Sequence, residues 1–114
     1  HSHSHSVSLP RQTLYTYLKR AALIIHESNQ AIKLDFAENM LYIEAETHDD
    51  KSTEEMPINF MFKTVKMAFN PAFLLEPLNK LDDEYVTLNF TDSHNAAVLS
   101  DSNNYRYILM PMRM

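Results

Sequence analysis

The 114-residue chain contains no glycine and no cysteine. At ordinary usage a chain of this length carries about eight glycines. Their absence removes the glycine-rich phosphate cradle, the dinucleotide fingerprint, the nucleophile elbow and the EF-hand loop with its central glycine. Without cysteine there is no disulfide, thiolate metal site, iron–sulfur ligation or cysteine nucleophile, and the composition fits a reducing, cytoplasmic setting. No apolar run approaches the roughly 18 residues of a transmembrane helix and no signal-peptide core is present, so no membrane partner is expected. Basic charge is also scarce. Ten Lys and Arg face fifteen Asp and Glu, for a net charge of −5 and a pI near 5.6. That excludes a free-standing nucleic-acid binder built on a large basic face.

What is there suits one folded domain: 45% hydrophobic and 22% charged residues, with seven methionines that serve as core filler or as adaptable binding surface. His1-Ser2-His3-Ser4-His5-Ser6 alternates strictly. Imidazoles so spaced can bind metal, but the pattern reads as an expression tag. Residues 1–6 are therefore set apart and the domain is counted over 7–114.

After Pro10 an uninterrupted stretch to Glu27 reads as a helix. Leu14, Leu18, Ala21, Ala22 and Ile25 form its apolar stripe, with Gln12, Thr16, Lys19 and Arg20 opposite. At about 100° per residue, Leu23 falls within the polar side and Ile24 at its edge. Two large aliphatics off the stripe imply either a second contact surface or a covering loop. Beyond Ser28-Asn29 the period becomes two: Ile32, Leu34 and Phe36, a turn at Ala37-Glu38-Asn39, then Leu41, Ile43 and Ala45, which is a hairpin. Residues 44–55 carry six acids against Lys51 alone. The run is either a solvated loop and strand edge or a patch that docks a basic partner.

Met56 to Phe60 and Thr64 to Phe69 read as strands. Asn70-Pro71 supplies a cap and a first-turn proline for a helix over Ala72–Leu81, in which Pro77 predicts a kink or an early break near Phe73. Tyr85–Thr91, Ala96–Leu99 and Tyr105–Met110 complete the strands. The expected class is α+β, two helices on antiparallel sheet of about seven to eight strands.

Candidate chemistry is thin. Asp92-Ser93-His94 holds the residue types of a hydrolytic triad, but neighbours on a strand point to opposite faces, so a turn is the better account. A hydrolase using Asp92 or His94 is the rival from another functional class. His26 and His48 lack partners at ligand spacing, so no metal site is expected. No carboxylates sit paired in an apolar setting. Nothing favours catalysis, and no cofactor is implied. The chain instead ends on Tyr107-Ile108-Leu109-Met110-Pro111-Met112-Arg113-Met114, an apolar, proline-stiffened tail. It is either a buried last strand or the wall of a groove for peptides.

Ile108-Leu109-Met110-Pro111-Met112-Arg113-Met114 closely resembles the C-terminal signature of bacterial sliding clamps, the DNA polymerase III beta subunit. The likeness continues through Ser8-Leu9-Pro10, Arg20-Ala21-Ala22-Leu23-Ile24, Phe69-Asn70, Leu78-Asn79-Lys80-Leu81 and Leu88-Asn89-Phe90-Thr91-Asp92-Ser93. It spans essentially all of the chain after residue 6. In that family three similar domains make a protomer, and two protomers close into a ring on duplex DNA. The chain resembles the third domain.

The resemblance implies several roles. Arg11, Lys19 and Arg20 would face DNA as sequence-independent phosphate contacts. Leu23, Ile24, Glu54 and Glu55 would meet the other protomer of a homodimer, although Lys51 and Ser52 stand where some relatives keep acids. Phe73, His94, Ala96, Ile108, Met110, Pro111, Met112 and Arg113 would line a groove for short motifs of polymerase subunits, the clamp loader and repair proteins. Phe73 stands in place of a tyrosine common in relatives, and His94 in place of a frequent apolar residue. The family's second domain supplies the other side of that groove. A stand-alone clamp-like domain that competes for clamp partners, or caps a clamp, is the alternative.

Overall fold

The computed structural model describes residues 5–26, 30–60 and 64–113. The chain runs β1 (His5–Pro10), α1 (Arg11–Ala22), β2 (Ile32–Ala37), β3 (Met40–Glu46), β4 (Lys51–Pro57), β5 (Val65–Phe69), α2 (Pro71–Lys80), β6 (Tyr85–Phe90), β7 (Ala97–Ser100) and β8 (Arg106–Leu109). The strands form two antiparallel sheets, ordered β1-β6-β7-β8 and β4-β3-β2-β5. The expected class and the order of helices and strands hold.

Alternation decides the inner faces. Ile32, Leu34 and Phe36 pair with Ala45, Ile43 and Leu41, and all six are buried. In the other sheet Val7, Leu9, Val86, Leu88, Phe90, Ala97, Leu99 and Leu109 are buried. The two inner faces meet in one core, closed at one end by aromatic rings. The Phe36 and Phe90 rings, one from each sheet, lie 4.8 Å apart, and Phe60 packs against both at 5.9 and 6.0 Å. The His5 ring joins them, 5.4 Å from Phe90 and 5.5 Å from Phe60. Strand β1 therefore starts two residues before the boundary drawn at Val7, with His5 and Ser6 in register against Phe90 and Asn89. Residues 1–4 lie outside the described residues.

Helix α1 buries Leu14, Leu18 and Ala21 of its expected stripe, and Ala22 and Ile25 pack at the rim. It ends at Ala22, short of the expected stretch; Glu27 and the turn at Ser28-Asn29 lie outside the described residues. Pro10 offers no side-chain cap, but the Arg11 amide donates to the Glu84 carbonyl at 2.9 Å. Helix α2 starts as its sequence predicts: the Asn70 side chain accepts from the Ala72 amide at 2.9 Å, and Pro71 occupies the first turn. The early break near Phe73 does not occur. Pro77 sits inside an unbroken helix, where it has no N–H to offer the carbonyl of Phe73 on the exposed first turn, and it buries its own ring.

The strand expected at Met56–Phe60 begins five residues earlier. Most of the acidic run is thus the edge strand β4 and its turn, with Lys51, Thr53 and Glu55 outward and Glu54 toward α1. The ladder to β3, from Glu46–Lys51 to Met40–Pro57, extends this β-poor sequence, and charges on an edge strand discourage pairing with other chains.

Two turns need a left-handed residue and, with no glycine in the chain, use asparagine: Asn39 at φ 60° between β2 and β3, and Asn104 at φ 66° between β7 and β8. Asparagine tolerates this region better than other non-glycine residues. We expect Asn39→Ala to destabilise the domain by about 1 kcal/mol and Asn39→Gly to be close to neutral, measured by urea unfolding.

Candidate peptide-binding groove at the tail

Leaving β8, the chain crosses from one sheet to the other. Pro111 cannot donate to a ladder, and at Met112 the amide donates to the Ala68 carbonyl on β5 at 2.6 Å, as an isolated antiparallel bridge. β8 and β5 are each the edge of their sheet. The tail therefore seals the seam between two sheet edges, and neither expected outcome for it applies whole. Leu109 is buried as a last core strand would be, whereas Ile108 and Met110 are 71% and 63% exposed.

Alternation explains the split. On β8 Leu109 stands opposite Ala97 and points into the core, while Ile108, opposite Val98, takes the outer face. Pro111 and Met112 are half-buried and Arg113 is exposed. Together with Ser93 and His94 these three line a cleft of about 550 Å³. The range for small-ligand sites is about 300–1,000 Å³.

The opposite wall comes from the loop between β6 and β7. There the Asp92 carboxylate accepts from the amides of His94 and Asn95, both at 2.9 Å, and from the Asn95 side chain at 3.0 Å. Asp92-Ser93-His94 is accordingly an Asx-type turn. The backbone amides of His94 and then Asn95 hold the Asp92 carboxyl below its ordinary range. The carboxylate thus fixes the loop that presents Ser93 and His94.

The structure brings together four of the eight groove candidates: His94, Pro111, Met112 and Arg113. Ala96, Ile108 and Met110 are exposed close by in the chain but do not line the cleft. Phe73 is 61% exposed on the first turn of α2, which packs beside β8, and it does not line the cleft either. Sequence reasoning missed Ser93 as a lining residue and Ala68 as the anchor of the tail. The one signal for Ala68 was its place in an apolar strand, which does not say which carbonyl remains free.

The other candidates lie elsewhere. Leu23 is 74% exposed just past α1, and Ile24 is partly buried against the core. Arg11 is committed within the fold. Its guanidinium donates to the carbonyls of Asp83 at 2.6 Å and Leu78 at 2.9 Å, satisfying the C-terminal end of α2. Arg20 and Glu54, assigned above to different surfaces, are partners: the guanidinium holds both carboxylate oxygens, at 2.6 and 3.1 Å, and lies 4.6 Å over the Tyr17 ring. The side-chain bond to Arg20 lowers the Glu54 pKa, and the bond to Glu54 raises that of Arg20. Glu55 is exposed on the outer face of β4, opposite Tyr42. Lys19 is exposed, its ammonium 5.4 Å from the Tyr15 ring.

His26 and His48, read as isolated, share a hollow of about 190 Å³ with Ile24, Asp49 and Asp50. Among the described residues no group of three or more His, Cys, Asp or Glu side chains is arranged to hold a metal ion. No helix among them is long and apolar enough to cross a membrane.

With this geometry in view, the chain matches the family model described as DNA polymerase III beta subunit, C-terminal domain, over residues 1–113. It is 34% identical over 109 residues to the beta sliding clamp of Chlamydia muridarum, covering 95% of this chain and 30% of that protein. It is 33% identical over 105 residues to a beta sliding clamp homolog, GriR, of Streptomyces muensis, covering 84% and 28%. Among solved structures it is similar to a Pseudomonas aeruginosa sliding clamp bound to griselimycin, with a TM-score of 0.91 and 26% identity over 100% of this chain and 31% of that one. It is similar also to the Thermotoga maritima beta subunit, at TM-score 0.89 and 26% identity over 97% and 31%. The chain spans about 30% of the length of the Chlamydia relative.

A carboxyl with a lowered pKa stabilises the fold above its unfolded value and loses that contribution as pH falls through its folded value. Asp92 is such a group. So is Asp83, lowered by the side-chain and backbone hydrogen bonds from Ser102. Carboxyl NMR titration should show both ionising below the ordinary 3.8. Asp92→Asn should flatten part of the loss of stability on acidification below that value, and shift the amide signals of His94 and Asn95.

Proposed function

The chain belongs to the DNA polymerase III beta subunit family, as its C-terminal domain, and on that footing we propose that it is the peptide-binding, ring-closing domain of a DNA sliding clamp. Its role is to hold, not to react. Short motifs of polymerase subunits, clamp loader and repair proteins would dock at the tail while the whole ring retains duplex DNA by topology. No cofactor or catalytic step is invoked, and the setting would be the cytoplasm.

The observation that carries this reading is the cleft at Met112. It is walled by Pro111 and Met112 on one side and by Ser93 and His94 on the other, with Arg113 at its rim. An aliphatic or aromatic anchor gains about 25 cal/mol per Å² of apolar area buried there, and the flexible methionine thioether adapts to its shape. Arg113 supplies donors for a peptide carbonyl or carboxylate. Ile108, Met110 and Phe73 are mostly exposed and would offer the family's second domain apolar surface to pack on. The solved Pseudomonas clamp bound to griselimycin supports ligand binding by this type of protein.

Leu23, 74% exposed with Ile24 beside it, stands where the family resemblance would set the other protomer. Glu54 and Glu55 would border that contact, Glu54 through its link to Arg20. For loose phosphate contact Lys19 is the best placed of the three basic residues, since Arg11 and Arg20 already hold carbonyl and carboxylate partners.

Titration of this chain with a fluorescent peptide bearing a Leu-Phe anchor should saturate in the micromolar to millimolar range, with half of the groove absent. Met112→Ala and Arg113→Ala should each weaken it about five- to tenfold, on the scale of tenfold per 1.4 kcal/mol. Met110→Ala should weaken it less. No binding at millimolar peptide, or indifference to all three changes, would sink the reading.

A further inference from the structure

Next to the tail cleft lies a second hollow, of about 400 Å³, lined by Thr64, Val65, Lys66, Thr91, Asp92 and Ser93. Ser93 lines both. The first hollow lies between the tail and the loop after β6, the second between the start of β5 and that same loop, so they adjoin at Ser93.

The backbone of β5 is offered to this seam. The Met112 amide bonds to the Ala68 carbonyl, so the main-chain groups of Ala68 point away from β2 and toward the tail. On a strand, residues two apart direct these groups the same way. The N–H and C=O of Lys66 therefore lie on the same free edge. No further strand pairs with this edge among the described residues, apart from the bridge at Met112.

Charge also favours one kind of occupant. Lys66 is exposed, and its ammonium is in none of the ion pairs among the described residues, which are Arg20–Glu54 and Lys80–Glu76. The acid lining this hollow, Asp92, keeps its charge but turns its oxygens to three N–H groups of its own loop, which leaves Lys66 and Arg113 as two cations against one acid along the two hollows. Asp35, across the strand from Lys66, is half-buried; burial raises its pKa and Lys66 pulls it back, so it is a poor counter-ion. With Arg113 in the first hollow, the seam is a locally basic groove on a chain of net charge −5.

We propose that the two hollows form one groove, in which an extended peptide anchored at Met112 continues along β5 and places an acidic side chain, flanking its apolar anchor, on Lys66. This rests on the peptide reading above and adds a specificity-determining residue to it. Main-chain bonds to the Lys66 edge would supply register, as in β-strand addition. The exposed ion pair would supply discrimination more than affinity, a few-fold effect that salt screens.

The test compares labelled peptides that share one Leu-Phe anchor and carry glutamate or glutamine flanks on its N-terminal or C-terminal side. On one side, glutamate should bind about threefold more tightly than glutamine at low salt, and the difference should vanish near 0.5 M salt. Lys66→Glu should invert that ratio and Lys66→Gln abolish it, with melting curves confirming that both variants fold. Equal affinities on both sides, or a preference that survives in both Lys66 variants, would overturn the extension alone, provided Met112→Ala still weakens the glutamine peptide. Absence of binding by every peptide would overturn the peptide reading and this inference with it.

Discussion

Two four-stranded sheets, each apolar on one face only, must share a single interior, and every other feature is arranged around that requirement. Phe36 and Phe90 meet ring to ring across the divide, with Phe60 and His5 closing the same end. Burying a phenylalanine contributes roughly 1.5–3 kcal/mol, so this cluster is a substantial part of what holds the sheets together. Helix α1 packs on the β4-β3-β2-β5 sheet, chiefly at β3 and β4, and beside α2. Arg11 fastens the two helices, its amide and guanidinium reaching three carbonyls at the end of α2 and in the segment after it. Among the described residues asparagine, not glycine, occupies the left-handed positions, at Asn39 and Asn104.

The same requirement creates the site. Two sheets joined through their inner faces leave edges facing each other at the rim, here β8 and β5. Unpaired edge groups bind water, another chain, or a tail; among the described residues this chain's tail meets the β5 edge through the bridge of Met112 to Ala68. One bridge holds Pro111 and Met112 in place while leaving the neighbouring edge open. The loop opposite is fixed by a buttress of a different kind, the Asp92 carboxylate with its three N–H donors. An open seam with a held wall on each side has the shape of a site for a strand-like ligand.

Local pattern carried much of this. Alternation through Ile32–Phe36 and Leu41–Ala45 dictated the central hairpin, the Leu14–Leu18–Ala21 stripe dictated the buried face of α1, and Asn70-Pro71 dictated the start of α2. It failed where local preference and long-range pairing disagree. The residues of β4 are poor strand formers, yet their partner β3 supplies a ladder from Glu46 to Met40 that extends them. Pro77 is unfavourable in a helix, yet its ring is buried. The partners of Arg11 and Arg20 lie 34 to 72 residues away, beyond any periodicity.

By itself the sequence determined the two alternating faces, the helix stripes, the turn residues and the apolar tail with its family signature, because these depend on neighbours within a turn or a strand. Tertiary structure alone decided which edges face each other, which carbonyl receives Met112, that Arg20 belongs to Glu54, and that Ser93 and Lys66 border the same seam as the tail. Those outcomes depend on how two sheets close over a common core, and chain-distant groups become neighbours only when that burial brings them together.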